Sequence, residues 1–133
     1  MIKGLAHLCF VIKSLDASLD FYCRQLGLEV AFDFKRESGE RFGVYLKVGP
    51  RAFIELFQGT TVPFAEFQSY RHLCFEVDDI QAAVAEFRGK GVTVTDPKLG
   101  TDRSWQAWMT DPDGNPIELH CYTAESKQGP HLR

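Results

Sequence analysis

The sequence predicts an α+β protein built from two tandem copies of one strand-helix-strand-strand-strand module. The tetrapeptide His-Leu-Cys-Phe at residues 7–10 recurs at residues 72–75, an offset of 65. The tripeptide Ile-Glu-Leu at residues 54–56 recurs at residues 117–119, an offset of 63. Two matched pairs in the same order, at nearly the same offset, indicate an internal duplication.

A short helix is predicted after each His-Leu-Cys-Phe segment. Both copies carry apolar residues at positions i, i+4 and i+7, the spacing of one helical face: Leu15, Leu19 and Tyr22, then Ile80, Val84 and Phe87. Ser14 and Asp79 directly precede these stripes, where an N-cap side chain accepts hydrogen bonds from free backbone N–H groups. Gly27 and Gly91 stand where each helix should end.

Three strands complete each module in the predicted order. They cover residues 28–34, 42–48 and 52–57 in the first copy, and residues 92–95, 104–110 and 116–121 in the second. Between the last two strands, the segment 111–115 has Asp, Pro and Gly at positions i, i+1 and i+3, which fits a type I turn.

The length of 133 residues fits a single compact domain. We expect module one at about residues 3–58, a linker at 59–69, module two at about 70–122 and a loose polar tail at 123–133. Four cysteines without a CxxC spacing are expected to be small core residues rather than disulfides.

The charge pattern and hydropathy exclude several kinds of partner. The formal net charge is -3, and the basic residues are scattered, which argues against a nucleic-acid partner. The chain has no apolar run of the roughly 20 residues that a membrane helix needs, so we expect no membrane partner. The N-terminus lacks the pattern of a secretory signal, and a cytoplasmic location is therefore predicted.

Four residues of the repeat are candidate metal ligands: His7, Glu55, His72 and Glu118. Taken alone, each histidine could be a structural residue, and each glutamate could face water through strand alternation. The duplication places the four at equivalent points, so two modules related by a pseudo-twofold axis could bring them together. Two imidazoles and two carboxylates suit divalent zinc, nickel, cobalt, iron or manganese. Such a set leaves coordination positions open for a substrate.

Several of these motifs resemble the vicinal oxygen chelate superfamily, also called the glyoxalase, bleomycin-resistance and dioxygenase superfamily. The resemblance rests on the segments HLCFVIKSLDASLDFYCRQLGLEV, FIELF, HLCFEV and DPDGNPIELH, and it covers about residues 3–122. It implies two tandem βαβββ modules that form a curved mixed sheet around a metal-containing cavity. A homodimer and a small-molecule substrate are also implied.

The His, Glu, His, Glu order of the four ligands resembles bacterial glyoxalase I, the lactoylglutathione lyase. The resemblance implies a metal-dependent lyase or isomerase that moves a proton on a substrate with adjacent oxygens, through an enediolate-type intermediate. It makes Glu118 the first candidate for the catalytic base and Glu55 a ligand or second base.

Two positions depart from the glyoxalase I pattern and argue against a glutathione substrate. Val11 replaces an arginine usual four residues beyond the first metal histidine, and the segment 56–59 lacks the usual asparagine. A metal-dependent dioxygenase of the same superfamily and a non-catalytic, bleomycin-type binding protein stay open as alternatives. Epimerases and fosfomycin-modifying transferases of the superfamily fit less well, because they usually lack the glutamate at position 55.

Overall fold

The computed structural model describes residues 1–132 and divides the chain into two compact units, one from Met1 to Pro63 and the other from Phe64 onward. Each unit contains one copy of the repeat and one four-stranded mixed sheet. The predicted fold class, α+β with two βαβββ modules, is therefore confirmed. Arg133, the last residue of the predicted tail, lies outside the described residues.

The two sheets have the same topology. The strands of the first unit are β1 His7–Ile12, β2 Glu29–Lys35, β3 Arg41–Val48 and β4 Ala52–Gln58. Those of the second unit are β5 Leu73–Glu76, β6 Lys98–Leu99, β7 Trp105–Thr110 and β8 Pro116–Cys121. The strand orders are β1-β4-β3-β2 and β5-β8-β7-β6. In each sheet the first and last strands of the module are parallel neighbours, and the other pairs are antiparallel.

Helices begin where the capping residues predict. Helix α1 covers Leu15–Leu19 and continues as a π-helical segment, Asp20–Gln25, whereas α2 covers Ile80–Gly89. The side chain of Ser14 accepts from the N–H of Ala17 at 3.2 Å, and that of Asp79 accepts from the N–H of Ala82 at 3.0 Å. Among residues 1–132, no helix combines the length and apolar character that crossing a bilayer requires.

The predicted strand at residues 92–95 is wrong. Val92 and Val94 are buried as the alternation suggested, but the only backbone bond seen from this stretch to β7 joins the N–H of Thr95 to the carbonyl of Trp108, at 2.9 Å. The edge strand forms later, at Lys98–Leu99. Pro97 explains part of this shift, because it has no N–H to donate to a ladder.

The core of each unit lies on one face of its sheet, and the candidate ligands lie on the other. Fully buried apolar side chains include Ile12, Tyr22, Val44, Leu46, Ile54 and Leu56 in the first unit, and Ala107, Ile117 and Leu119 in the second. Neighbouring residues of a strand point to opposite faces. Glu55, between Ile54 and Leu56, and Glu118, between Ile117 and Leu119, therefore point to the face away from the core, which we call the open face.

The turn between β7 and β8 is held together by Asp111, which is only 4% exposed. Its Oδ1 accepts from the backbone N–H groups of Asp113 and Asn115, both at 2.9 Å, and its Oδ2 accepts from the Asn115 side chain at 2.9 Å. The N–H of Gly114 donates to the Asp111 carbonyl at 2.9 Å, which confirms the predicted turn.

We expect Asp111→Ala to lower the free energy of unfolding by about 1–3 kcal/mol, because it leaves donors in a partly buried turn without their acceptor. Urea denaturation measures the change. The exposed Asp78 provides a matched control, since Asp78→Ala should stay within about 0.5 kcal/mol of the parent. Equal losses in the two variants would contradict this role for Asp111.

The described part of the tail makes several hydrogen bonds, and its predicted looseness stays a prediction. It bonds to the loop at residues 100–104: Lys127 N–H to the Asp102 carbonyl at 2.9 Å, Gln128 Nε2 to Asp102 Oδ2 at 2.6 Å, Thr123 Oγ1 to the Arg103 carbonyl at 2.7 Å, and Ser126 Oγ to Ser104 Oγ at 2.7 Å. The polar composition suggested solvation, but these side chains pair with the loop instead.

Candidate metal centre

In the first unit, β1 and β4 bring His7 and Glu55 together on the open face. The parallel register pairs His7 with Phe53 and Cys9 with Glu55. The distance from His7 Nε2 to Glu55 Oε1 is 3.9 Å, and the two side chains are 41% and 19% exposed. Tyr45 is paired with Glu55 across β3 and β4, and its ring meets His7 edge-on at 5.6 Å.

The second unit repeats this arrangement with a closer contact. His72 immediately precedes β5, and its Nε2 lies 3.0 Å from Oε2 of Glu118 in β8. The Glu118 side chain is only 7% exposed. Trp108 is paired with Glu118 across β7 and β8, and its ring meets His72 edge-on at 4.9 Å. Each unit therefore contains a histidine, a glutamate and an aromatic ring in equivalent positions.

Within each unit, the structure places the predicted histidine beside the predicted glutamate. Both pairs lie on the open face, where His7, Glu55 and His72 are accessible to solvent and Glu118 is buried. The sharing of one metal ion by the His7–Glu55 and His72–Glu118 pairs stays a prediction.

A further residue of this region, His120, was missed by the sequence analysis. Its Nδ1 lies 3.1 Å from Glu118 Oε1, and its Nε2 lies 3.8 Å from Asp102 Oδ2. The position equivalent to His120 in the first module is Phe57, so a search for repeated residues passes over it. The alternation of β8 could have found it, because residues two apart on a strand share a face.

Two cysteines also lie on the open face. Cys9 and Cys74 are exposed, which corrects the expectation that they fill the core, whereas Cys121 is buried. Although Cys74 is exposed as a residue, the protein around its sulfur excludes part of the solvent. This desolvation, followed by the charges of Glu118 and other nearby carboxylates, raises the pKa of the Cys74 thiol to about 12. Partial burial and a hydrogen bond to Glu55 also raise the pKa of Cys9.

Aromatic rings cover the open face of the first unit around the His7–Glu55 pair. They belong to β2, β3 and β4: Phe32, Phe34, Tyr45, Phe53 and Phe57. Ring centroids are 4.7 Å apart for Phe32 and Tyr45, and 4.9 Å apart for Tyr45 and Phe53 and for Phe34 and Phe57. Gly43 makes room for this packing, because a Cβ there would lie 2.5 Å from a ring carbon of Phe57.

Comparison with known proteins agrees with this architecture. The sequence model of the Glyoxalase/Bleomycin resistance protein/Dioxygenase superfamily matches residues 4–119. The chain belongs to this superfamily. A superfamily protein of known structure, the glyoxalase family protein from Enterococcus faecalis, aligns with a TM-score of 0.77 and 26% identity, covering 89% of this chain and 97% of that one.

Two curated relatives carry names that describe enzymes. The probable lactoylglutathione lyase of Synechocystis sp. is 34% identical over 123 residues, which cover 86% of this chain and 92% of that protein. The metallothiol transferase FosB of Staphylococcus epidermidis is 30% identical over 131 residues, covering 95% of this chain and 87% of that protein. The superfamily thus includes enzymes of more than one reaction class at similar distances.

The donor set of this superfamily member fits a divalent metal. Glu118 is a buried carboxylate with an imidazole nitrogen near each oxygen, at 3.0 Å for His72 and 3.1 Å for His120. Burying a carboxylate is costly unless a cation or hydrogen-bond donors compensate its charge. Imidazole and carboxylate ligands suit first-row divalent ions. Within residues 1–132, the potential ligand atoms of Cys74, Glu118 and His120 form one group, in which all of them lie within 4.8 Å of one another.

Proposed function

We propose that this protein is a divalent-metal-dependent lyase or isomerase of the glyoxalase I type, acting on a small molecule with two adjacent oxygens. The observation that carries the proposal is the repetition of the same histidine-glutamate-aromatic arrangement on the open faces of both modules. The 34% identity to a probable lactoylglutathione lyase supports the same reaction class.

In this proposal His7, Glu55, His72 and Glu118 together hold one nickel, zinc, cobalt, iron or manganese ion. The two pairs come together within one chain or across a homodimer. When bound, the metal lowers the cost of negative charge on the substrate oxygens. The remaining work, orienting the substrate and moving the proton, falls to the protein's own side chains.

Glu118 is the proposed catalytic base. Its carboxylate removes the proton from the carbon beside the substrate carbonyl and returns it to the neighbouring carbon, so the enediolate forms and collapses without any oxidant. A carboxylate positioned in this way typically contributes about 10²–10⁴ in rate. Contacts with His72 and His120 restrict the orientation of this carboxylate. Glu55, which is more exposed, acts as a ligand and second base in this scheme.

The test is metal analysis of protein purified without chelators, combined with assays of 2-oxoaldehydes with and without thiols. An aromatic 2-oxoaldehyde belongs in the panel, because aromatic rings surround the His7–Glu55 pair. Isomerised product without oxygen uptake is the expected result. Oxygen consumption with iron would indicate a dioxygenase instead, and binding without turnover would indicate a bleomycin-type binding protein.

A second candidate is a thiol transferase, favoured by the 30% identity to metallothiol transferase FosB over 95% of the chain. The chemical nature of the thiol product distinguishes it. A lyase or isomerase converts the adduct of thiol and 2-oxoaldehyde into a thioester of the same composition, from which alkali releases the thiol. A transferase instead adds the thiol to an electrophile such as an epoxide, opening the ring to give a thioether that alkali leaves intact. Enzyme-dependent formation of the thioether, without isomerisation of any thiol–oxoaldehyde adduct, would replace our first proposal with this one.

We expect weak or absent turnover of the methylglyoxal–glutathione adduct. Val11 occupies the place of a carboxylate-binding arginine, and Gln58 is engaged within the fold, since its Oε1 accepts from the Leu15 N–H at 2.9 Å. A missing charge-assisted hydrogen bond costs about 1.5–3 kcal/mol, or one to two decades of binding. Steady-state kinetics measure kcat/KM, and a value near about 10⁷ M⁻¹s⁻¹, typical of efficient enzymes, would contradict this expectation. The Val11→Arg variant should raise kcat/KM.

A further inference from the structure

Glu118 is more buried than Glu55, and the imidazole of His120 contacts its carboxylate. His120 Nδ1 lies 3.1 Å from Glu118 Oε1, and both side chains are buried, at 10% and 7% exposure. In the Nδ1–H tautomer of His120, this contact is a hydrogen bond that the imidazole donates to the carboxylate. The other carboxylate oxygen, Oε2, stays directed at His72 Nε2, 3.0 Å away.

The first module provides an internal comparison without this contact. Phe57 occupies the position equivalent to His120, and a phenyl ring has no hydrogen-bond donor. There the glutamate is more exposed, at 19% against 7%, and its distance to the histidine is longer, at 3.9 Å against 3.0 Å. The duplicated modules thus differ at the position whose histidine contacts Glu118 in the second unit.

His120 is itself held in place from its other side. Its ring meets Tyr122 edge-on at 4.8 Å, and its Nε2, which is buried without a hydrogen-bond partner, faces Asp102 Oδ2 at 3.8 Å. Asp102 in turn accepts from Gln128 Nε2 at 2.6 Å and from the backbone N–H of Ser104 at 3.1 Å. Packing against Tyr122 limits the rotation of the imidazole away from Glu118.

We propose that His120 is a positioning residue that orients Glu118 for metal binding, with the Tyr122 ring packed against the imidazole. This inference rests on the proposed function, because it takes Glu118 as a metal ligand. Residues that hydrogen-bond to a ligand typically set about 10–100-fold of the metal affinity.

The test compares two substitutions of His120 in metal-free protein titrated with Co²⁺. His120→Phe installs the residue of the first module and removes the donor. His120→Asn places an amide N–H close to the position of Nδ1. We expect His120→Phe to bind Co²⁺ about 10–100-fold more weakly than the parent. His120→Asn should restore most of the affinity, and thermal unfolding of the metal-free variants should show little change.

Controls separate the possible failures. Parent-like affinity in His120→Phe, or a loss in both His120 variants that follows a drop in metal-free stability, would overturn the positioning role. Strong loss in both His120 variants and in Cys74→Ser would overturn it too, because Cys74, Glu118 and His120 would then form the ligand set themselves. Absence of Co²⁺ binding by the parent, or binding that Glu118→Ala leaves unchanged, would overturn the proposed function together with this inference.

Discussion

The Glu118→Gln variant is expected to keep much of its metal and to lose about 10²–10⁴ in rate, the usual cost of removing a general base. The glutamine retains a carbonyl oxygen for the metal but cannot accept a proton at neutral pH. Three other ligands, His7, Glu55 and His72, remain available to hold the ion. Among the single substitutions considered, this one should have the largest effect on turnover.

Glu55→Gln is the matched control for this experiment, since it makes the same change at the equivalent position of the other module. Its effect should be milder, because the epimerases of the superfamily usually carry glutamine there. Metal content and rate are measured together for both variants. Small and equal losses of rate would mean that neither glutamate is the base.

The second large effect is expected for the histidines. Loss of a residue that only hydrogen-bonds to a metal ligand typically weakens metal binding about 10–100-fold. His7→Ala and His72→Ala each remove a proposed ligand, so each should weaken metal binding by more than that. The fold should survive, because the two side chains are 41% and 36% exposed and contribute little to the core. Competition with a chelating dye measures the affinity, and thermal unfolding of metal-free protein controls for stability. Parent-like affinity in both single variants would exclude these histidines as ligands.

Most of the fold could be predicted from the sequence because the duplication shows the same strand motifs, helix stripe and helix cap twice along the chain. Capping at Ser14 and Asp79 and the turn at Asp111 depend on short-range side-chain chemistry, which the sequence displays directly. The strand at residues 92–95 was misplaced because Val92 and Val94 are buried alternately whether or not the backbone there is hydrogen-bonded to a neighbouring strand. The bonded part of the tail was missed because its partner, the loop at residues 100–104, is distant in sequence.

The candidate site was predictable to the extent that it is symmetric. The sequence predicted that all four residues converge on one metal. The structure places each histidine beside the glutamate of its own unit, on an open face, and the shared metal stays a prediction. His120 breaks the repeat, so it carried no such signal. The exposure of Cys9 and Cys74 follows from the alternation that they share with the histidines two residues earlier, which outweighs the usual tendency of cysteine to be buried.

The central claim is that one divalent metal is held by the four repeated residues, and metal content tests it most directly. The parent protein, purified without chelators and loaded with a divalent ion, is analysed by mass spectrometry of its metals beside the double variant His7→Ala, His72→Ala. We expect one equivalent per chain in the parent and a large loss in the double variant. Full occupancy in the double variant would contradict the assignment.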